Sequence, residues 1–205
     1  MKKIIALLLA SIVLCGLANA ESQPSMRIRG GIIGFDGHEL QIKTRDGQNV
    51  TVTVTDDTKI SLLSALKLSD LKQGSFVGVT AIQTGPGTPL QAREVHIFAE
   101  AQRGTGEGHY PWDLEPGSSM TNANVDAIVS TNNGKELTLS YKNGSKNGSQ
   151  KIMVPKGVPI ITFKPADRSL LKAGAQIFCV AQQAVDGSLT ARYVSVGKDG
   201  MKPPM

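Results

Sequence analysis

The chain has 205 residues and a formal charge of +5, from 22 Lys and Arg against 17 Asp and Glu. The basic surplus is spread along the chain with no dense run, which excludes a nucleic-acid or membrane patch read from charge alone. After the first twenty residues no apolar stretch approaches the ~20 residues that cross a bilayer, so the mature protein is expected to be soluble.

Residues 1–20 read as a signal peptide. Lys2 and Lys3 give a positive start and Ile4 to Leu17 an apolar run. Ala18-Asn19-Ala20 then places small residues where a signal peptidase cuts, so the mature chain is expected to begin at Glu21. The bulky Leu14 before Cys15 argues against a lipoprotein anchor. Two basic residues and Cys15 leave with the signal, which lowers the charge to +3 and leaves Cys179 alone, without an intramolecular disulfide. Cys179 lies in the strand-like run from Gln176 to Ala181 and is expected to be a small buried hydrophobe.

From Met26 the hydrophobic pattern has period two. A strand is predicted over Arg27 to Phe35, bent where Gly30, Gly31 and Gly34 fall. Leu40 and Ile42 precede Arg45-Asp46-Gly47-Gln48, whose Asp-Gly pair predicts a tight hairpin turn. Val50, Val52 and Val54 then alternate with threonines. After Asp57 the period breaks, and Leu62, Leu63, Leu66 and Leu68 predict a short helix or helical turn closed by Gly74. Strands resume over Phe76 to Gln83 and Leu90 to Phe98, joined by a turn at Gly85 to Pro89.

The second half repeats this order. Gly37-His38-Glu39-Leu40 matches Gly134-Lys135-Glu136-Leu137 at an offset of 97, and beyond the loop Asn143 to Gln150 the offset becomes 100. There Val54 meets Val154, Ile60 meets Ile160, Leu71-Lys72 meets Leu171-Lys172, and Val79 meets Cys179. The shared residues are core and turn positions, so a fold was duplicated. In the last strand of each copy the apolar residues change parity midway, from Leu90 and Ala92 to Val95 and Ile97, and from Leu189 and Ala191 to Val194 and Val196. A β-bulge near Arg93 and another near Arg192 produce such a change of face and the curvature a small barrel needs. The expected fold is all-β, two tandem OB-like five-stranded barrels related by internal duplication. The first is expected over 21–100 and the second over 123–197, with an inter-barrel segment at 101–122 and a flexible tail at 198–205.

The inter-barrel segment contains the only tryptophan of the chain and a quite different composition. Tyr110 and Trp112 stand two apart in an otherwise polar run, in a protein with nine aromatic residues. They either plug the seam between the barrels or form a docking site, with Arg103 as a third candidate. His109, Glu107 and Asp113 offer mixed nitrogen and oxygen ligands for a divalent transition metal, with His38 or His96 joining from a barrel, but lack a tight ligand spacing. His96, between Val95 and Ile97, is expected to point into water. Ser118 and Ser119 follow His109 without a nucleophile elbow, so no catalytic residue is assigned. Gly104-Thr105-Gly106-Glu107-Gly108 lacks the flanking strand and helix of a dinucleotide loop. Few aromatics fall on the strands, which argues against single-stranded nucleic acid as a partner. Asn143-Gly144-Ser145 and Asn147-Gly148-Ser149 match the glycosylation sequon but serve equally as flexible loop residues.

The segment Arg103 to Val125 and the stretch Val196-Gly197-Lys198-Asp199-Gly200-Met201-Lys202-Pro203-Pro204-Met205 resemble an uncharacterised family of exported Gram-negative bacterial proteins. Its members are similar along the whole mature chain, OB-like duplication included, and some carry labels tied to metal transport, even to a permease. A permease is excluded by the lack of a membrane span after the signal. The resemblance implies a periplasmic or secreted location and supplies no catalytic residues. The resulting expectation is an exported, non-enzymatic binding or structural module without a cofactor, which uses the inter-barrel seam to meet an envelope protein or small ligand. The alternative is a periplasmic metal-binding protein associated with metal uptake.

Overall fold

A computed structural model describes residues 25–205; the expected signal peptide and the start at Glu21 lie outside the described residues. The fold is all-β. Its strands are β1 (Ser25–Phe35), β2 (Glu39–Thr44), β3 (Asn49–Thr53), β4 (Lys59–Leu66), β5 (Phe76–Gln83), β6 (Leu90–Ile97) and β7 (Gly108–Pro111). They continue as β8 (Ser118–Thr131), β9 (Gly134–Asn143), β10 (Lys146–Pro155), β11 (Ile160–Ala166), β12 (Gln176–Gln183) and β13 (Leu189–Gly197). The described helical segments are three-residue 3₁₀ turns, and none is long and apolar enough to cross a membrane.

Local sequence accounts for most of these elements. The β2–β3 hairpin turns at Gly47, whose φ of +90° an L side chain would resist. Both expected bulges are present. Thr80 faces Glu94 while Ala81 faces Ala92, which leaves Arg93 as the extra residue, and Val180 faces Tyr193 while Ala181 faces Ala191, which leaves Arg192. The expected bend in β1 is a bulge at Ile33, matched in β8 at Asp126.

Two expectations are corrected. Leu62 to Leu66 form strand rather than helix, and only Leu68–Asp70 make a helical turn. The strand exists because a partner 100 residues away hydrogen-bonds it, which local periodicity does not register. The loop Asn143 to Gln150 is mostly ladder, since Asn143 pairs with Lys146 across a two-residue Gly144–Ser145 turn.

The strands form one continuous path, β10-β9-β8-β5-β6-β11-β4-β13-β12-β1-β2-β3, with β7 added beside β8. Two further pairings return to it. β10 meets β6 through Ile152 and Leu90, and β13 meets β3 through Thr190 and Thr53, so each joins the ends of a five-strand run. Every strand of those two runs therefore has a neighbour on both sides along part of its length, which removes most of the unpaired edge.

The cores do not follow the halves of the sequence. One gathers Ile28, Leu40, Ile42, Val52 and Ile60 from the first half with Ile177, Cys179, Val194 and Val196 from the second. The other gathers Val77, Val79 and Val95 from the first half with Val125, Leu137, Leu139 and Ile152 from the second. The expected bounds 21–100 and 123–197 thus enclose half of each core. Leu40, Ile42, Leu137 and Leu139 are wholly buried, each contributing about 1.5–3 kcal/mol through burial. The expected flexible tail is also corrected, because Pro203 and Met205 are buried.

Two strands carry the chain between the cores. β4 starts at Ile60 in the first core and ends at Leu66 against the second, and β11 makes the reverse journey from Ile160 to Ala166. They pair antiparallel, with Ile60 facing Ala166, Leu63 facing Phe163 and Leu66 facing Ile160. Leu63 and Phe163 are repeat mates at the offset of 100, so a pseudo-two-fold axis passes between them.

Because each core needs both halves, residues 25–102 and 103–205 made as separate chains are expected to be unfolded alone and to regain strand structure when mixed in equal amounts. Circular dichroism of the separate and mixed fragments checks this, and independent folding of either one contradicts it. Cys179 is fully buried and its thiol is pushed up to about 12 by burial. It is expected to be silent to a thiol reagent in the native protein and to react only on unfolding.

Candidate functional site at the seam between the cores

The Gly- and Pro-rich segment does not span a gap between two units. Its residues Gly108–Pro111 turn back as β7 and pair with β8, Gly108 facing Asn122 and Tyr110 facing Met120. The next residues close a compact turn. Trp112 donates its amide to the Ser118 carbonyl at 2.8 Å, the Ser118 hydroxyl donates to the Trp112 carbonyl at 2.9 Å, and the Glu115 amide donates to that hydroxyl at 3.2 Å. Ser118 is thereby a turn residue. The turn carries Trp112 and Asp113 onto β1, a strand of the other core.

Two arginines of β1 receive them. The Arg27 guanidinium lies 4.0 Å over the Trp112 ring and 3.6 Å from Asp113, and Arg29 donates to Asp113 Oδ1 at 2.8 Å. Burial pushes the Asp113 carboxyl up, but the hydrogen bond from Arg29 and the charges of both arginines outweigh it and hold the group below its usual range. Asp113 is 45% exposed, so its ion pairs fix geometry more than they add stability. A second clasp joins Arg93, the bulge residue of β6, to Glu115 at 2.5 Å.

Beneath this clasp, cross-strand register builds two rows on one face of the sheet. Tyr110, Met120, Thr80 and Glu94 follow one another across β7, β8, β5 and β6, and Gly108, Asn122, Gly78 and His96 form the next row. Glu94 is 1% exposed and neither carboxyl oxygen has a hydrogen-bond partner in the protein. Burial raises its pKa to about 8 against the opposing charge of Arg29, so it is mainly protonated at neutral pH. His96 is buried between Phe98, 4.0 Å away centre to centre, and Phe163, at 4.3 Å. Its Nε2 has no partner, and burial lowers its pKa to about 3, keeping it neutral. The expectation that His96 points into water is therefore wrong; its side chain does leave the Val95 face, but the opposite face is covered. The Trp112 Nε1 and the Asn122 Oδ1 are likewise buried without a protein partner. Tyr110 lies 6.2 Å from Trp112 and its hydroxyl accepts from Asn122 at 3.2 Å; burial raises its pKa, partly opposed by Arg27.

The structure brings Tyr110, Trp112 and Asp113 together and leaves Arg103 elsewhere. Arg103 is held by Glu100 at 2.5 and 2.7 Å, Asn124 at 2.5 Å and the Gly74 carbonyl at 2.9 Å. Asn124 and Ser118, which position Arg103 and Trp112 respectively, are six residues apart on β8, about 20 Å along a strand. The three residues expected to hold a metal diverge. Glu107 accepts from the Lys142 amide at 3.0 Å, the His109 Nδ1 lies 2.8 Å from the Thr121 hydroxyl, and Asp113 faces the arginines. Among the described residues no three His, Cys, Asp or Glu side chains gather as a cation would require. Sequence reading missed Arg27, Arg29 and Glu94. The bulge at Arg93 was the available signal for Glu94, since it puts Glu94 and His96 on one face, but only the exchange of strands covers that face.

No family model, curated protein or solved structure matches the chain. The functional reading rests on the geometry.

Glu94 has a folded pKa above its ordinary value, so the stability it permits at low pH is lost as pH rises from about 4.5 through about 8. His96 has a folded pKa below its ordinary value, so stability is lost as pH falls from about 6.5 toward 3. Glu94→Gln is expected to melt higher than wild type by a margin that grows from pH 6 to pH 9, on the order of a few kcal/mol. Melting curves that stay parallel across that range would show that Glu94 does not carry the proton.

Proposed function

We propose that this protein is an exported, non-enzymatic binding or structural module of the periplasm, built as two OB-like five-stranded barrels, which takes an envelope partner or small ligand at the seam marked by Tyr110 and Trp112. The two pairings that join the ends of five-strand runs support the barrels, and the matched bulges at Arg93 and Arg192 support their origin by duplication. The n-region, apolar run and Ala18-Asn19-Ala20 cleavage pattern support export, in line with the resemblance to exported Gram-negative proteins.

The observation that carries the seam reading is the state of Trp112. Its ring is gripped by Arg27, while its indole N–H is out of contact with solvent and has no acceptor in the protein. An orphaned donor of this kind costs about 1–3 kcal/mol, and a ligand carbonyl or carboxylate placed there recovers that cost. Arg103 has no part in this site, since its donors are engaged by Glu100, Asn124 and Gly74. The metal-uptake alternative loses its support with the divergence of Glu107, His109 and Asp113.

Trp112→Phe keeps the ring and removes the N–H. Native mass spectrometry and cross-linking of the protein taken from its own compartment are expected to show a bound organic mass or a partner that the Trp112→Phe protein loses at unchanged melting temperature. Equal capture by both proteins, or a bare chain with no cross-link in either, overturns the seam reading. One divalent ion per chain, lost with His109→Ala, would restore the metal alternative.

A further inference from the structure

The residues after β13 have no regular structure, yet they are placed with care. Gly197 ends β13, and a Cβ built on it would stand 1.8 Å from the Met201 carbonyl oxygen, so only glycine permits the chain to fold back so closely. Asp199, at φ 52° and ψ 40°, is the non-glycine residue that adopts the left-handed conformation among the described residues. The reversal delivers Met201 to Met205 onto the face formed by β1 and β2. Pro203 and Met205 are buried there, while Lys202 between Met201 and Pro203 stays exposed.

The contacts are all donated to the backbone of this segment. Arg29 Nε donates to the Met205 carbonyl and Arg45 Nη2 to the Pro203 carbonyl, two acceptors spaced by two residues. Phe178 supports the arrangement from below, with the Arg29 guanidinium 5.2 Å over its ring. Arg45 is held below its usual pKa by burial and by the charge of Arg29, so two like charges have been brought together and partly dried. Carbonyl dipoles offset that repulsion. Proline suits such a face because it has no N–H to satisfy and keeps its carbonyls turned outward in an extended helix.

We propose that the face of β1 and β2 carrying Arg29 and Arg45 is a binding groove for an extended, proline-containing segment of a partner protein, and that Met201 to Met205 occupy it in cis as an internal competitor. Two arginine donors spaced to read alternate carbonyls, together with an aromatic floor, are the means by which proline-rich segments are recognised. The tail gains from a high effective concentration, so a partner segment reaches the groove when the tail is displaced or when the segment binds more tightly.

The proposal is independent of the seam, although Arg29 touches both places. The probe is a fluorescein-labelled peptide with the sequence of residues 200–205, Gly-Met-Lys-Pro-Pro-Met, read by anisotropy against the full chain. Gly197→Ala is expected to undock the tail and bind the peptide at least about tenfold more tightly than wild type. Should that change disturb β13, the combined Pro203→Gly, Pro204→Gly and Met205→Ser variant undocks the tail without touching the sheet and is expected to give the same gain. Adding Arg29→Ala and Arg45→Ala to either variant is expected to abolish the gain, whereas Trp112→Phe leaves it intact. Folded variants that bind no better than wild type, or that keep the gain without the arginines, overturn the proposal. Concentration-dependent dimers without peptide binding also overturn it and assign the groove to the tail of a second copy.

Discussion

The antiparallel pairing of β4 with β11 is the constraint on which the other features depend. Each strand leaves one core and enters the other, so the ladder between them is also the crossing point of the chain. Neither core is complete without strands from both halves, and this couples the folding of the two runs of strands. The placement of Leu63 opposite its repeat mate Phe163 follows from symmetry, because two equivalent strands paired antiparallel must meet at equivalent residues. The arrangement resembles two subunits that have traded their last strands and been joined by one chain. The joining segment is free to do something else, and here it adds β7 and a turn to the outside of β8.

The crossing also explains the buried polar groups. Glu94 and His96 lie on the outer face of β6, a face that an isolated barrel would leave in water. Once β1 is brought alongside, the same residues are enclosed near Arg29 and Phe163. Burying a carboxyl and an imidazole without partners is costly, and both respond by staying neutral. The clasp of Arg27, Arg29 and Arg93 with Asp113 and Glu115 lies over this layer. Its ion pairs are too exposed to supply much energy, so their effect is to set where Trp112 sits.

Much of the fold was legible in the sequence, and for local reasons. The hairpin turn at Asp46-Gly47 and the bulges at Arg93 and Arg192 depend on residues next to one another in the chain, and their signals survive in one dimension. The stretch Leu62 to Leu66 was misread because its periodicity is weak and its hydrogen-bond partner is remote. Of the candidate site, Tyr110, Trp112 and Asp113 could be found from composition, as aromatic and acidic residues in a Gly- and Pro-rich run. Arg27, Arg29 and Glu94 could not, since a charged residue on the polar face of a strand carries no mark of what will cover it.

The sequence by itself determined that the chain is all-β, that its second half repeats the first, and where the strands turn and kink. These properties are set by period-two burial, by glycine at turns and by single-residue insertions. The tertiary structure decided which copy of each strand completes which core, because both copies present the same apolar pattern and local physics does not distinguish between them. It decided as well that the Trp112 turn rests on Arg27 and that Met205 rests on Arg29. Both are contacts between residues far apart in sequence, made adjacent by the strand exchange alone.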